Sequence, residues 1–233
     1  MHTALFEEGK VEIQDEGSQV MALFALDPKS ALSQLTKTPN EPKRAEITTL
    51  PKFAPLTVID ACAGAGGKTL ALADYLANKG RVYSYDIFQS KVDALKRRAI
   101  RAGLNNIQAL KIDEGKESEQ IAKFVKTADV VLVDAPCSGL GVLKRNPDIK
   151  WRTQRDTLTS LAELQTRLLD VYSPLVKVGG RLVYGTCTFR KEETLEIVEK
   201  FSKAHPEWKE IGGRYLGPGS TDGFFMYAWE RKE

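Results

Sequence analysis

From Leu56 onward, short apolar runs alternate with segments whose apolar residues recur at helical spacing. The runs at residues 57–61, 81–85, 107–112, 129–133 and 181–184 have strand length and are rich in β-branched side chains. Between them lie helical patterns: from a Gly-rich turn through Asn78, then 89–102 closed by Gly103, then 116–125 and 158–171. A last strand is predicted at 224–229, with no helix after it. Such alternation predicts an α/β fold, a mostly parallel sheet with helices on both faces. Upstream, residues 1–26 read as an extension made of a short strand, 10–14, and a helix, 18–26. Residues 27–55 break the pattern. They hold five of the ten prolines (Pro28, Pro39, Pro42, Pro51 and Pro55) in an otherwise polar stretch. That composition predicts a long loop making few contacts with the core. The α/β domain then occupies 56–233. There is no internal repeat and no low-complexity tract.

Length and composition add bounds. The chain has 233 residues, 42% of them hydrophobic, enough for one large domain with a filled core. Basic and acidic residues nearly balance, 34 against 31, so any nucleic-acid contact must come from a local patch rather than from net charge. No run of membrane-spanning length and no signal-peptide pattern is present, which with reduced thiols predicts a cytoplasmic protein, monomeric and without a membrane partner. Cys62, Cys137 and Cys187 are odd in number and widely spaced. They match neither a zinc knuckle nor a disulfide framework, and no metal is expected.

Candidate chemistry sits at the predicted strand ends, the side on which a parallel sheet forms its ligand crevice. The first turn reads Asp-Ala-Cys-Ala-Gly-Ala-Gly-Gly-Lys-Thr, from Asp60 to Thr69. A phosphate-binding loop would need glycine where Cys62 stands, and a dinucleotide fingerprint would need its third glycine where Thr69 stands. What remains is a tight turn that lets backbone approach a ligand closely. Asp86 ends the second strand, at the place where a carboxylate binds ribose hydroxyls, and Asp113 ends the third. One turn with carboxylates and no anion clamp suits a nucleoside without pyrophosphate, and S-adenosylmethionine is such a ligand.

Val133-Asp134-Ala135-Pro136-Cys137-Ser138-Gly139 follows the fourth strand, and Gly185-Thr186-Cys187-Thr188 the fifth. Cys62 reads as a small core residue. Cys137 and Cys187 face the crevice, which suits cytosine chemistry. C5 of cytosine is too weak a nucleophile to take a methyl group unaided, but thiolate attack on C6 makes it an enamine carbon. A second thiol would serve the later release, and Asp134 would hold the N3–N4 edge of the base.

Nearly the whole chain resembles the catalytic core of the bacterial ribosomal-RNA 5-methylcytidine methyltransferases (the Sun/Fmu or small-subunit methyltransferase B group), whose eukaryotic relatives are the Nop2/Sun proteins. The resemblance is carried by Gln14–Gln19, the turn from Asp60 to Thr69, Val133–Gly141, Arg145–Trp151, Gly179–Thr188 and Asp222–Phe225. It implies a Rossmann-like class I methyltransferase fold, seven strands with an antiparallel last one. It implies Cys187 as nucleophile, Cys137 as release cysteine, and an RNA substrate, ribosomal RNA first. Cys62, Ala63, Gly64, Ala65, Gly66, Gly67, Lys68, Asp86, Lys91, Asp113 and Asp134 would bind the cofactor, with Lys68 also reaching toward the base. Gly64-Ala65 stands where the family turn has Ala-Pro, and Lys91 replaces the arginine usual after the ribose carboxylate, losing the planar fork. The family's amino-terminal RNA-binding domain is absent from these residues, through truncation or another mode of RNA recruitment.

Lys144, Arg145, Lys150, Arg152 and Arg155 form a basic segment beside the crevice, where a phosphate backbone would pass. Trp151 within it is expected to pack rather than stack on bases. Arg97 and Arg98 read as a solvated face. Two rivals stay open: a DNA cytosine methyltransferase attacking through Cys137, and a silent RNA-binding scaffold, which loss of Cys187 or Asp134 would have favoured.

Overall fold

A computed structural model describes residues 3–35, 55–152, 155–217 and 221–232. Its strands are β1 (Thr57–Asp60), β2 (Arg81–Asp86), β3 (Ile107–Lys111), β4 (Ala128–Asp134), β5 (Val176–Thr186), β6 (Trp208–Leu216) and β7 (Phe224–Arg231). They form one seven-stranded sheet in the order β3-β2-β1-β4-β5-β7-β6. β1 to β5 pair in parallel, and β7 runs antiparallel to both β5 and β6. The expected class I methyltransferase sheet with its antiparallel last strand is therefore present. The helices are α1 (Ala4–Glu7), α2 (Glu16–Leu26), α3 (Pro28–Leu35), α4 (Gly67–Tyr75) and α5 (Gln89–Arg101). They continue as α6 (Glu117–Ile121), α7 (Ile149–Arg152), α8 (Arg155–Tyr172) and α9 (Leu195–Ala204).

The sheet is covered on both sides, which is why β4 reads as an unbroken apolar run: Val130 to Val133 are fully buried. Leu168, Leu169 and Tyr172 of α8 and Ile197, Val198 and Phe201 of α9 pack on one face with Ile59, Val131 and Val133. Leu72 and Ala73 of α4 and five residues of α2, Met21, Ala22, Phe24, Ala25 and Leu26, pack on the other with Val58, Val130 and Leu132. α2 is apolar almost all round because it is enclosed by the sheet and α4. Residues 16–26 are thus part of the domain's core rather than an appendage to it. Strand order reverses between β1 and β4, and the divergence of the chain there opens the crevice at their carboxyl ends.

The amino-terminal expectations need correction. Residues 10–14 form no strand, and Val11 and Ile13 are 44% and 63% exposed. The segment is held by its polar member: Glu12 pairs with Arg98 at 3.0 Å and with Arg101, both on α5. The expected loop at 27–55 begins as helix α3, with Pro28 in its first turn and Asp27 Oδ1 accepting from the Ser30 N–H at 3.1 Å. A capping aspartate followed by a proline at the first helical position is a helix start. Ala31 is buried, so this part does contact the core. Pro39, Pro42 and Pro51 lie outside the described residues. The helix expected at 116–125 is α6 followed by a 3-10 turn, Ala122–Phe124. β6 and α9 were not anticipated.

Candidate active site

The glycine turn joins β1 to α4 and is held from three sides. The Ala63 N–H donates to Tyr85 O at 2.9 Å, the Gly64 N–H to Asp86 Oδ2 at 2.9 Å, and the Arg98 guanidinium to Ala65 O at 2.6 Å. Arg98 is therefore a structural tie and not the solvated face expected of it. Gly66 cannot be replaced: its φ is +91°, and a Cβ would stand 2.5 Å from Leu95 Cγ. Beneath the turn lies a pocket of 110 Å³ whose walls include Cys62, Phe88, Ile112, Pro136 and Tyr172, with Asp86 at its edge. A flat heterocycle fits those apolar walls, and the Asp86 carboxylate can accept from ribose hydroxyls. Burial, with the Asp60 and Asp134 carboxylates adding, pushes the Cys62 thiol well up, so it is a neutral wall group.

Of the eleven expected cofactor residues only Cys62 and Asp86 line this pocket; Ala63 to Lys68 belong to the turn and the start of α4, Asp134 pairs with Lys68, and Asp113 and Lys91 lie at the surface. Asp113 is exposed and pairs with Lys111 at 2.7 Å, and Lys91 is exposed on the first turn of α5. Neither is among the pocket's lining residues. Glu117, which sequence reading passed over, lines the pocket, is buried, and receives a hydrogen bond from Arg167 at 3.0 Å.

β4 and β5 deliver the two cysteine segments side by side. The Cys137 and Cys187 sulfurs are 3.3 Å apart. The Gly141 N–H donates to Cys187 O at 2.8 Å and the Gly223 N–H to Gly141 O at 2.8 Å, tying both segments to the β6–β7 connection. A Cβ on Gly141 would fall 2.0 Å from Gly223 O, so only glycine allows that approach. The sulfurs differ in ionisation. Cys187 is held below the ordinary thiol value, first by the hydrogen bond from Cys137 and then by the Lys68 ammonium, against burial and the Asp134 charge. Cys137 is pushed well above it by the same hydrogen bond and by burial. The two sulfurs titrate as a pair, and the Lys68 ammonium acting on Cys187 favours a thiolate there. Lys68 Nζ lies 2.6 Å from Asp134 Oδ2; burial opposes its charge, but Asp134 outweighs burial and raises its pKa.

Asp60, beneath Lys68, is fully buried and accepts from Thr69 Oγ1 at 2.7 Å. Burial pushes its carboxyl up to about 7. An unfolded chain ionises Asp60 near its ordinary value while the folded chain keeps the proton. Its contribution to stability is thus complete at acid pH and is lost as pH rises toward 7. Between pH 4 and pH 8 the wild type should lose on the order of 4 kcal/mol relative to Asp60→Asn, read from urea unfolding at both pH values. A constant difference would mean that Asp60 is ionised in the fold throughout.

The rim carries the basic segment. Arg145 pairs with the buried Asp222, whose N–H donates to Asp15 Oδ2 at 3.3 Å. Trp151, expected to pack, is instead 79% exposed, with Lys150 Nζ 4.9 Å from its ring centre. Ile149, at the start of the same turn, reaches over Gly139, so this helix borders the Cys137 segment. The side chains of Arg152 and Arg155 are outside those described. Among the described residues no helix is long and apolar enough to cross a membrane, and no group of three or more His, Cys, Asp or Glu could hold a metal ion.

A family model described as 16S rRNA methyltransferase RsmB/F matches residues 48–222. A Bacillus subtilis protein named as a probable ribosomal RNA small subunit methyltransferase B is 36% identical over 252 residues, covering 99% of this chain and 50% of the relative. A Synechocystis protein of the same name is 40% identical over 168 residues, covering 71% of this chain and 37% of the relative. Among solved structures, PH0851 superposes with a TM-score of 0.83 at 32% identity, over 98% of this chain and 49% of that one. NSun6 from Pyrococcus horikoshii, solved with SFG, gives 0.78 at 24% identity over 100% of this chain and 56% of its own, which speaks to fold alone. The chain spans half or less of the length of these two named bacterial relatives. The family match runs without a break from before the glycine turn to Asp222 and so takes in the whole crevice, and on it the chain belongs to the RsmB/F family of 16S rRNA methyltransferases, built on the class I S-adenosylmethionine-dependent fold.

Proposed function

We propose that this domain transfers a methyl group from S-adenosylmethionine to C5 of a cytidine in ribosomal RNA, through a covalent bond between Cys187 Sγ and C6 of the base. The observation that carries the reading is the sulfur pair at 3.3 Å, set beside the Lys68–Asp134 pair at the carboxyl ends of adjacent strands. The Cys187 thiolate adds to C6, and the displaced π electrons make C5 nucleophilic. S-adenosylmethionine supplies the electrophilic methyl group that C5 takes up. The C5 proton must then leave; its electron pair re-forms the C5–C6 double bond and expels Cys187 as thiolate. Once Cys187 is bound to C6, Cys137 lies within reach to take that proton as a thiolate, becoming the thiol. Asp134 can accept from the exocyclic amine, with Lys68 balancing its charge.

The pocket beside Asp86 is the natural seat for the adenosine part, and the solved NSun6 carried SFG, an analogue of the same cofactor. Asp86→Ala should weaken S-adenosylmethionine binding by roughly 10- to 100-fold, the worth of a charge-assisted hydrogen bond. Calorimetry checks this, and an unchanged affinity would put the ribose elsewhere. The exposed Trp151 with Lys144 and Lys150 offers a stacking face and phosphate-binding charge for RNA along the rim. The DNA-type alternative, attack through Cys137, is disfavoured because the Lys68 ammonium that can stabilise a thiolate acts on Cys187. The reaction is tested by methyl transfer from labelled cofactor to unmodified small-subunit ribosomal RNA, followed by nucleoside analysis. 5-Methylcytidine is expected; label on any other atom overturns the assignment.

A further inference from the structure

The charged stretch after Cys187 hides a carboxylate that the reaction above does not use. Glu193 ends a 3-10 turn, Lys191–Glu193, before α9 and is fully buried, whereas its neighbour Glu192 pairs with Arg190 at the surface. Among the described residues no cation pairs with Glu193. Its oxygens are satisfied instead by the Cys137 segment. Glu193 Oε1 accepts from the Ser138 N–H at 2.8 Å and from Gln165 Nε2 at 3.2 Å, and Oε2 accepts from Ser138 Oγ at 2.5 Å. Ser138 Oγ in turn lies 3.0 Å from Thr188 Oγ1, the residue after Cys187. Gln165 Nε2 also donates to Pro136 O at 2.9 Å, and the Tyr184 hydroxyl donates to Glu193 O at 2.8 Å. The carboxylate thus holds Ser138 directly, reaches the Pro136 carbonyl through the Gln165 amide it shares, and reaches the residue beside Cys187 through Ser138.

We infer that Glu193 is a positioning residue that clamps the two cysteine segments together, setting the sulfur–sulfur contact on which the reactivity of Cys187 depends. Burying a carboxylate without a cation is unfavourable unless its lone pairs are filled, so a purely packing role would be served better by an apolar side chain. The proposal rests on the reading of Cys187 as the attacking thiol. Cys187 is faced by Cys137, Lys68, Asp134 and Arg145, and only the first of these is placed by Glu193. Losing the clamp should weaken the Cys137 hydrogen bond while leaving the other three charges where they are.

The test is the pH dependence of Cys187 alkylation by iodoacetamide, resolved by peptide mass spectrometry on the whole chain, beside S-adenosylmethionine affinity. Wild-type Cys187 should alkylate with a midpoint below that of an ordinary thiol. Glu193→Ala should move the midpoint up and slow alkylation at neutral pH about tenfold, the worth of one hydrogen bond to a charged acceptor. Cofactor affinity should not change. Glu193→Gln, which can still accept from the Ser138 N–H and bond to its hydroxyl, should restore most of the rate. Ser138→Ala should move the midpoint in the same direction as Glu193→Ala, and it decides the matter if Glu193→Ala does not fold. A depressed wild-type midpoint that neither Glu193→Ala nor Ser138→Ala moves overturns the clamp alone. An ordinary wild-type midpoint overturns the activated Cys187 and the clamp with it.

Discussion

Cys187→Ser should lose methyl transfer by roughly 10³-fold or more and leave no covalent enzyme–RNA species, because a serine hydroxyl is a far poorer nucleophile near neutral pH. Cys137→Ser should behave in the opposite sense. Its hydroxyl can still donate to Cys187, so attack and methyl transfer proceed, but elimination stalls and a denaturant-resistant adduct accumulates. In the wild type the rate of adduct formation should rise with pH through the depressed ionisation of Cys187 and then level off. Denaturing gels with unmodified ribosomal RNA distinguish these outcomes. Adduct in the Cys187 variant and none in the Cys137 variant would reverse the roles.

Lys68→Met should separate stability from chemistry. The change strands Asp134, whose side chain is only 25% exposed, without its 2.6 Å partner. Breaking such a pair should cost about 3 kcal/mol, the low end of the usual range because Asp134 keeps some contact with water. It also removes the ammonium that favours the Cys187 thiolate, so the midpoint for adduct formation should move to higher pH. Adding Asp134→Leu removes the stranded charge and should recover most of the stability in urea, with methyl transfer still lost. Equal recovery of both would show that the Lys68–Asp134 pair serves the fold only.

The crevice was legible because parallel strands place their carboxyl ends together. Asp86, Asp134, Cys137 and Cys187 could therefore be assigned to the strand-end side from their positions after apolar runs; the two sulfurs touch there, Asp134 pairs with Lys68, and Asp86 lines the pocket under the glycine turn. Asp113 fits the same positional rule, yet it points to Lys111 at the surface, because a strand end fixes where backbone goes and not where a side chain turns. Residues 10–14 alternate like a strand, but they pair with neither edge of the sheet. Both β3 and β6 are edges, and the segment lies across α5 instead, anchored by Glu12. β6 stayed hidden because it is itself an edge strand interrupted by Gly212 and Gly213, with little of it buried. Proline content masked the start of α3, although Asp27-Pro28 carried the opposite signal in the same residues. Glu193 had no visible mark. One of two adjacent glutamates in a charged run is buried, and only the approach of α8, β5 and the Cys137 segment determines which.

The most direct test uses ribosomal RNA carrying 5-fluorocytidine. Its C5 has no proton to release, so a methylated adduct cannot resolve. After incubation with S-adenosylmethionine and the wild-type chain, the trapped complex is digested and the cysteine bearing the methylated fluorocytidine is located by mass spectrometry. The expected result is modification of the peptide containing Cys187, dependent on the cofactor and absent from the peptides containing Cys137 and Cys62. Modification at Cys137, or release of methylated RNA with no trapped species, would contradict covalent catalysis through Cys187.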